Sequence, residues 1–196
     1  MPSFLRYILV FCVVASWCAG SRGQRAEPSF PNDDEIKLVV TQAERAVQQY
    51  KPMLDTEAKV LDEKGKDVVA KDRQVVLAIE TGNKAFNHNP QAFNGPLGFA
   101  YFEWLDDASR NAVLCAANAS LEVSASIRAG EKDKAELEMQ LSQNCMDVST
   151  LLYTVSKNVG ALYARYTESE ENLANKGFRV ATECAEALKK KATPKQ

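Results

Sequence analysis

The sequence predicts an all-α fold, an up-and-down bundle of four to five long antiparallel helices, and three observations predict it. Apolar residues recur at steps of three and four through most of the 196 residues, the spacing of one helix face. No segment shows the period-two alternation of a half-buried strand. The strongest breaks, Gly65, the Asn87–Gly98 stretch and Gly130, divide the chain into helix-length pieces joined by short connections, as in a bundle.

Residues 1–23 read as a signal peptide. Arg6 supplies a positive n-region, and Tyr7–Ala19 is an apolar run of about 13 residues, the length of a signal core and short of the ~20 that span a membrane. Ala19, Gly20, Ser21 and Gly23 offer cleavage after Gly20 or after Gly23, while Trp17 is too bulky to precede a lipoprotein cysteine at Cys18. The expectation is export, to a periplasm or to the extracellular space. About 173 residues remain, enough for one domain with a real core. Arg6 and Arg22 leave with the signal, so 22 basic residues face 26 acidic ones. The one basic cluster, Lys189-Lys190-Lys191, lies at a helix end, where it complements the dipole. Nothing here favours nucleic acid or an anionic membrane, which need a basic face.

Residues 24–32, with Pro28 and Pro31, read as an extended leader to a single domain over residues 33–191. Asn32 or Asp33 caps the first helix, and Asp33, Asp34 and Glu35 suit its positive end. Its stripe is Ile36, Val40, Ala43, Val47, Tyr50, Leu54, Ala58 and Leu61. Pro52 falls inside the stripe without shifting its phase, which predicts a kink rather than a new helix. Gly65 marks the break before a second helix, whose apolar side holds Val68, Val69, Val75, Val76, Ile79 and Phe86. That helix is expected to fade at Thr81-Gly82-Asn83 and to end by Phe86 or Asn87, leaving Asn87–Gly98 as an irregular loop. Loops of that length are often functional.

A third helix runs from about Leu97 to Ala129, stopped by Gly130. The fourth begins near Glu131–Asp133 with the most regular seam in the chain: Leu141, Cys145, Val148, Leu152, Val155, Val159, Leu162 and Tyr166. Steps of four and three alternate without a slip, as in coiled coils and bundles. Thr167-Glu168-Ser169-Glu170 has the pattern of a capping box and predicts a break with a fifth helix after it. Leu173, Val180 and Ala187 nevertheless keep the seam in phase, so the alternative is one unbroken helix of nearly 60 residues. Residues 192–196 are a frayed tail.

Catalytic and metal chemistry find little support. His88 is the only histidine, in the Asn87-His88-Asn89-Pro90 loop, and the paired Glu-x-x-His motifs of di-iron bundles are absent. With His88 as the one histidine and no Gly-x-Ser-x-Gly elbow, there is no triad to assemble. Glu103, Asp106 and Asp107 form an acidic group beside aromatics, but Arg110 stands at salt-bridge spacing from Asp106 and Asp107. The sequence therefore predicts a protein with no catalytic, metal or cofactor site. It reads as a non-enzymatic interaction or structural module. The candidate contact surface is the aromatic 87–104 region with Phe86, and its residues are Phe86, His88, Phe93, Phe99, Tyr101 and Trp104. The rival is that these rings plug the bundle. The runner-up function is a carrier of a small apolar ligand, beside the alanine-rich face of the third helix. The partner, protein or ligand, is unknown. A homodimer through residues 133–166 or through Cys184 is open.

Three cysteines remain after signal removal, Cys115, Cys145 and Cys184. Cys115 and Cys145 each lie 15 residues from Gly130, hence about 22 Å from the turn on either arm of an antiparallel hairpin. A Cys115–Cys145 disulfide is predicted, with Cys184 as the free thiol.

Overall fold

The computed structural model describes residues 29–60 and 63–192. The signal peptide, residues 24–28 of the leader, Leu61 and tail residues 193–196 lie outside the described residues. Four long helices follow one another: α1 (Asp33–Val60), α2 (Glu63–His88), α3 (Pro96–Ala129) and α4 (Lys132–Ala192), with a one-turn 3-10 helix (Pro90–Phe93) between α2 and α3. No strand occurs among the described residues. The chain is an all-α bundle.

Helix α1 begins where its side chains satisfy free amides. Asn32 Oδ1 accepts from the N–H groups of Asp34 and Glu35 at 3.0 Å, and Glu35 Oε2 accepts from the Asn32 N–H at 2.9 Å. Glu35 also receives the Arg165 guanidinium through both carboxylate oxygens, which fastens the start of α1 to α4. The Arg165 hydrogen bond, then the Asn32 amide, hold its carboxyl below the usual range. Ile36, Val40, Ala43, Val47, Tyr50 and Leu54 are all buried, so the sequence stripe is the core face. Pro52 lies inside one continuous helix.

Two sequence expectations for α2 are corrected. The helix is already running at Glu63, so Gly65 sits inside it rather than ahead of it. Nor does it fade at Gly82. A Cβ there would lie 2.6 Å from Cδ2 of Tyr101, so the glycine gives the Tyr101 ring a seat on α2. Gly82→Ala is expected to destabilise the fold by about 1–2 kcal/mol, because displacing the ring outweighs the gain in helix propensity. Thermal or chemical melts check this, and a stabilised variant would sink the account.

The twelve-residue irregular loop is a third correction. Helix α2 extends through His88, the 3-10 turn buries Phe93, and Pro96 opens α3 at a position where its missing N–H costs nothing. The turn folds because Phe93 has a pocket between α2 and α3 to fill.

The α3–α4 hairpin turns at Gly130, whose φ of 79° is the left-handed conformation that glycine adopts without strain. Its N–H reaches Ile127 O, and the Glu131 N–H reaches Ser126 O, the paired bonds of a Schellman stop. The two arms approach closely because the facing side chains are small. Ala108, Ala112, Ala116 and Ala119 are buried, Ser109 Oγ donates to Ser149 O at 3.1 Å, and Ser142 Oγ donates to Ala116 O at 2.9 Å. Cys115 and Cys145 meet there in a disulfide with Cα atoms 6.1 Å apart.

The preferred break near Thr167 does not occur: α4 is one helix of 61 residues. The reason is local. Thr167 Oγ1 donates back to Ala164 O inside the helix instead of capping a new one, and no proline interrupts the segment. At 1.5 Å per residue α4 is about 90 Å long. Its seam from Leu141 to Tyr166 is buried inside the chain, apart from a partly buried Leu162. From Glu170 to Glu186 every described side chain is exposed. Bonds from Glu35 to Arg165 and from Gln42 to Asn158 set α1 level with the 158–165 part of α4. The last 25 or so residues thus form an arm that runs on for roughly 35–40 Å past α1.

Candidate functional site

The six residues of the expected contact surface separate into two environments. Phe86, Phe93 and Tyr101 are fully buried. Phe86 meets the other two edge to face, with ring centroids 5.5 Å from Phe93 and 5.1 Å from Tyr101, the arrangement that aromatic quadrupoles prefer. The Tyr101 hydroxyl donates to Asn83 Oδ1, which satisfies its polar end inside the core. These three rings plug this end of the bundle. Trp104 is half-buried against the same core. His88 is exposed, and it is the last residue of α2 rather than a loop residue.

Phe99 stands apart from the plug. It is 44% exposed and belongs to a second set of rings that sequence reading missed. Its centroid lies 6.4 Å from Phe102 and 5.7 Å from Tyr163; Tyr163 lies 5.6 Å from Tyr166, and Tyr166 lies 6.0 Å from Phe30. Three segments thus contribute: the leader, the first turns of α3, and α4 where it leaves the bundle. Gly160 makes room for this ladder, since a Cβ there would meet Phe102 Cε2 at 3.0 Å. The signal in the sequence was two aromatic pairs at i, i+3, Phe99/Phe102 and Tyr163/Tyr166, on helices that turn out to face each other.

A buried polar cluster was also missed. Glu57 and Asp72 are 1% and 2% exposed, on α1 and α2. Asp72 accepts from the Tyr50 hydroxyl at 3.3 Å and from Asn111 Nδ2 at 2.6 Å. Glu57 Oε2 has no hydrogen-bond partner. Burial, and then the neighbouring Asp72 charge, push the Glu57 carboxyl up to about 7. Burial raises Asp72 as well, against the lowering effect of its two donors. Near neutral pH Glu57 therefore still carries its proton part of the time, inside the core. Both residues lie on the apolar stripes, at Tyr50–Leu54–Glu57 and Val69–Asp72–Val76, and that placement is the signal that marks them.

The remaining candidates resolve simply. Arg110 pairs with Asp106 at 2.5 Å across one helical turn at the surface. Among the described residues no three His, Cys, Asp or Glu gather as metal ligands, and no helix is long and apolar enough to cross a membrane. Cys184 is a free, exposed thiol on the arm. It lies 39 residues beyond Cys145 on the same helix, roughly 58 Å away, so it cannot reach the disulfide. The alanine face of α3 is filled by direct packing against α4.

Compared with models of protein families, with characterised proteins and with solved structures, the chain matches none.

Proposed function

We propose that this protein is an exported, non-enzymatic binding module whose contact surface is the aromatic ladder at the root of the α4 arm. The observation that carries the reading is the ladder itself. Five rings from three segments stack outside the aromatic plug, and Phe30 and Phe99 keep 43% and 44% of their surface in solvent. Rings that touch one another and still face water lose little conformational entropy on binding and gain a large apolar area, which is the chemistry of recognition anchors. Within the earlier candidate set, the surface rests on Phe99.

The test compares capture of a host partner by the protein and by Phe99→Ser. Capture is expected to fall at least tenfold while the melting temperature moves by less than about 3 °C, since the ring is half in solvent already. Undiminished capture, or a collapse of stability like that of a core substitution such as Ile79→Ala, would put the ring in a structural role and end the proposal.

A further inference from the structure

We propose that the α4 arm pairs antiparallel with the same arm of a second copy of this chain. This stands apart from the aromatic surface, which lies at the root of the arm and not along it.

The arm inherits its apolar seam from the bundle. The steps of four and three that bury Leu141 through Tyr166 continue through Ser169, Leu173, Lys176, Val180 and Glu183. In the bundle this seam is covered by α1 and α3; on the arm Leu173 and Val180 are 62% and 59% exposed, and Phe178 is 77% exposed. In proteins most helical stability comes from packing one apolar face rather than from propensity.

The charge pattern says what covers it. Four blocks alternate in sign along the arm: Glu168, Glu170 and Glu171; Lys176 and Arg179; Glu183 and Glu186; Lys189, Lys190 and Lys191. A parallel pair lays every block on its like. An antiparallel pair centred on Val180 lays every block on its opposite. Position 170 then faces 190, 171 faces 189, and 173 faces 187. The two charged seam positions, Lys176 and Glu183, sit almost symmetrically about Val180, so each copy's lysine falls within one residue of the other's glutamate. Opposite charges along a helical seam set orientation in this way. The partner that fits is a second copy, running the other way.

The register fixes the cysteines. About an antiparallel centre at Val180, the two Cys184 residues are offset by about 12 Å along the axis, outside the 4.4–6.8 Å Cα separation of a disulfide. Two Val180 positions lie side by side. Under mild oxidation, Val180→Cys in a Cys184→Ser background is therefore expected to form a covalent dimer, and the native Cys184 is not. A covalent dimer through the native Cys184 means a parallel pair, which sets Cys184 level with Cys184, and overturns the proposal; so does a Val180→Cys variant that forms no covalent dimer. Sedimentation supplies the independent reading. The protein should show a concentration-dependent dimer whose dissociation constant rises at least tenfold between 0.05 and 0.5 M salt, because exposed charges are screened. Reversing the last block (K189E, K190E, K191E) or the first (E168K, E170K, E171K) should abolish the dimer without lowering the melting temperature, and mixing the two variants should restore it. A protein that stays monomeric at the highest concentration reached, or a dimer indifferent to both reversals, overturns the proposal.

Discussion

Replacing Cys115 and Cys145 together by alanine is expected to lower stability by roughly 3–4 kcal/mol, since their bond closes a loop of 30 residues in the unfolded chain. For a domain of this size that is a fall of about 10 °C in melting temperature. Alanine is the right replacement because both positions are buried among Ala116, Ala119 and Leu141, where a serine hydroxyl would need a partner. The location makes the bond matter. The Asp72–Asn111 hydrogen bond sets α2 against the middle of α3, while Ser126 and Glu138 are joined by a 3.0 Å bond close to the hairpin tip. The disulfide lies in a small cluster of α3 and α4 side chains against which Met53 and Val60 of α1 also pack, apart from the main core. Denaturation of the oxidised protein, the reduced protein and the double alanine variant measures the effect, with non-reducing peptide mapping to identify the bond. A loss below about 1 kcal/mol would mean that packing alone secures the hairpin. A Cys145–Cys184 peptide would contradict the helix register altogether.

Stability should also fall as pH rises from 4.5 to about 7, and Glu57→Gln should remove much of that fall. Glu57 titrates near its ordinary 4.5 in the unfolded chain and at about 7 in the folded one. Below pH 4.5 both states hold the proton and the group has no effect on the pH profile. Between 4.5 and 7 the unfolded chain releases the proton while the folded chain keeps it, so stability drops by up to about 1.4 kcal/mol per pH unit. Above 7 the loss is complete and constant. With allowance for solvent screening, the total is about 2–3 kcal/mol. A glutamine keeps the shape and cannot ionise, so the variant should be more stable than the parent at pH 8 and nearly equal to it at pH 4.5. Asp72 shifts in the same direction and remains in the variant, so a smaller slope persists. Denaturant titrations of both proteins at pH 4.5, 6 and 8 decide the matter. Parallel pH profiles would show that Glu57 is not the group that holds the proton.

Most of the helices were legible because their stripes obey one period, and the hairpin disulfide followed from two distances to one glycine. What misled was local signal read without its tertiary setting. Gly82 and Gly65 look like breaks, yet one makes room for the Tyr101 ring and the other lies within a helix already begun. Thr167 to Glu170 spells a cap, but the in-phase seam of Leu173 and Val180 was the truer guide, as the backward bond from Thr167 shows. The plug residues Phe86, Phe93 and Tyr101 were found by their clustering in sequence. The outer ladder was not, because its rings come from segments more than sixty residues apart, and only the pairing of α3 with α4 brings them together. Glu57 and Asp72 were passed over since a charge on an apolar stripe reads as noise until burial gives it a proton to keep.

The continuous α4 also governs how the molecule moves through solution. A compact domain of this length is roughly 40 Å across, with a radius of gyration of about 15 Å, whereas a single helix of 61 residues measures about 90 Å end to end. Drag follows the long dimension. A lone chain will therefore leave a gel-filtration column early, at the position of a globular protein well above its mass, and its fluorescence anisotropy will decay with a slow tumbling component about the short axes. Small-angle scattering should return a maximum dimension near 90 Å with an asymmetric tail in the distance distribution. Apparent size and true mass part company in such a molecule, and light scattering or sedimentation equilibrium gives the count of chains directly.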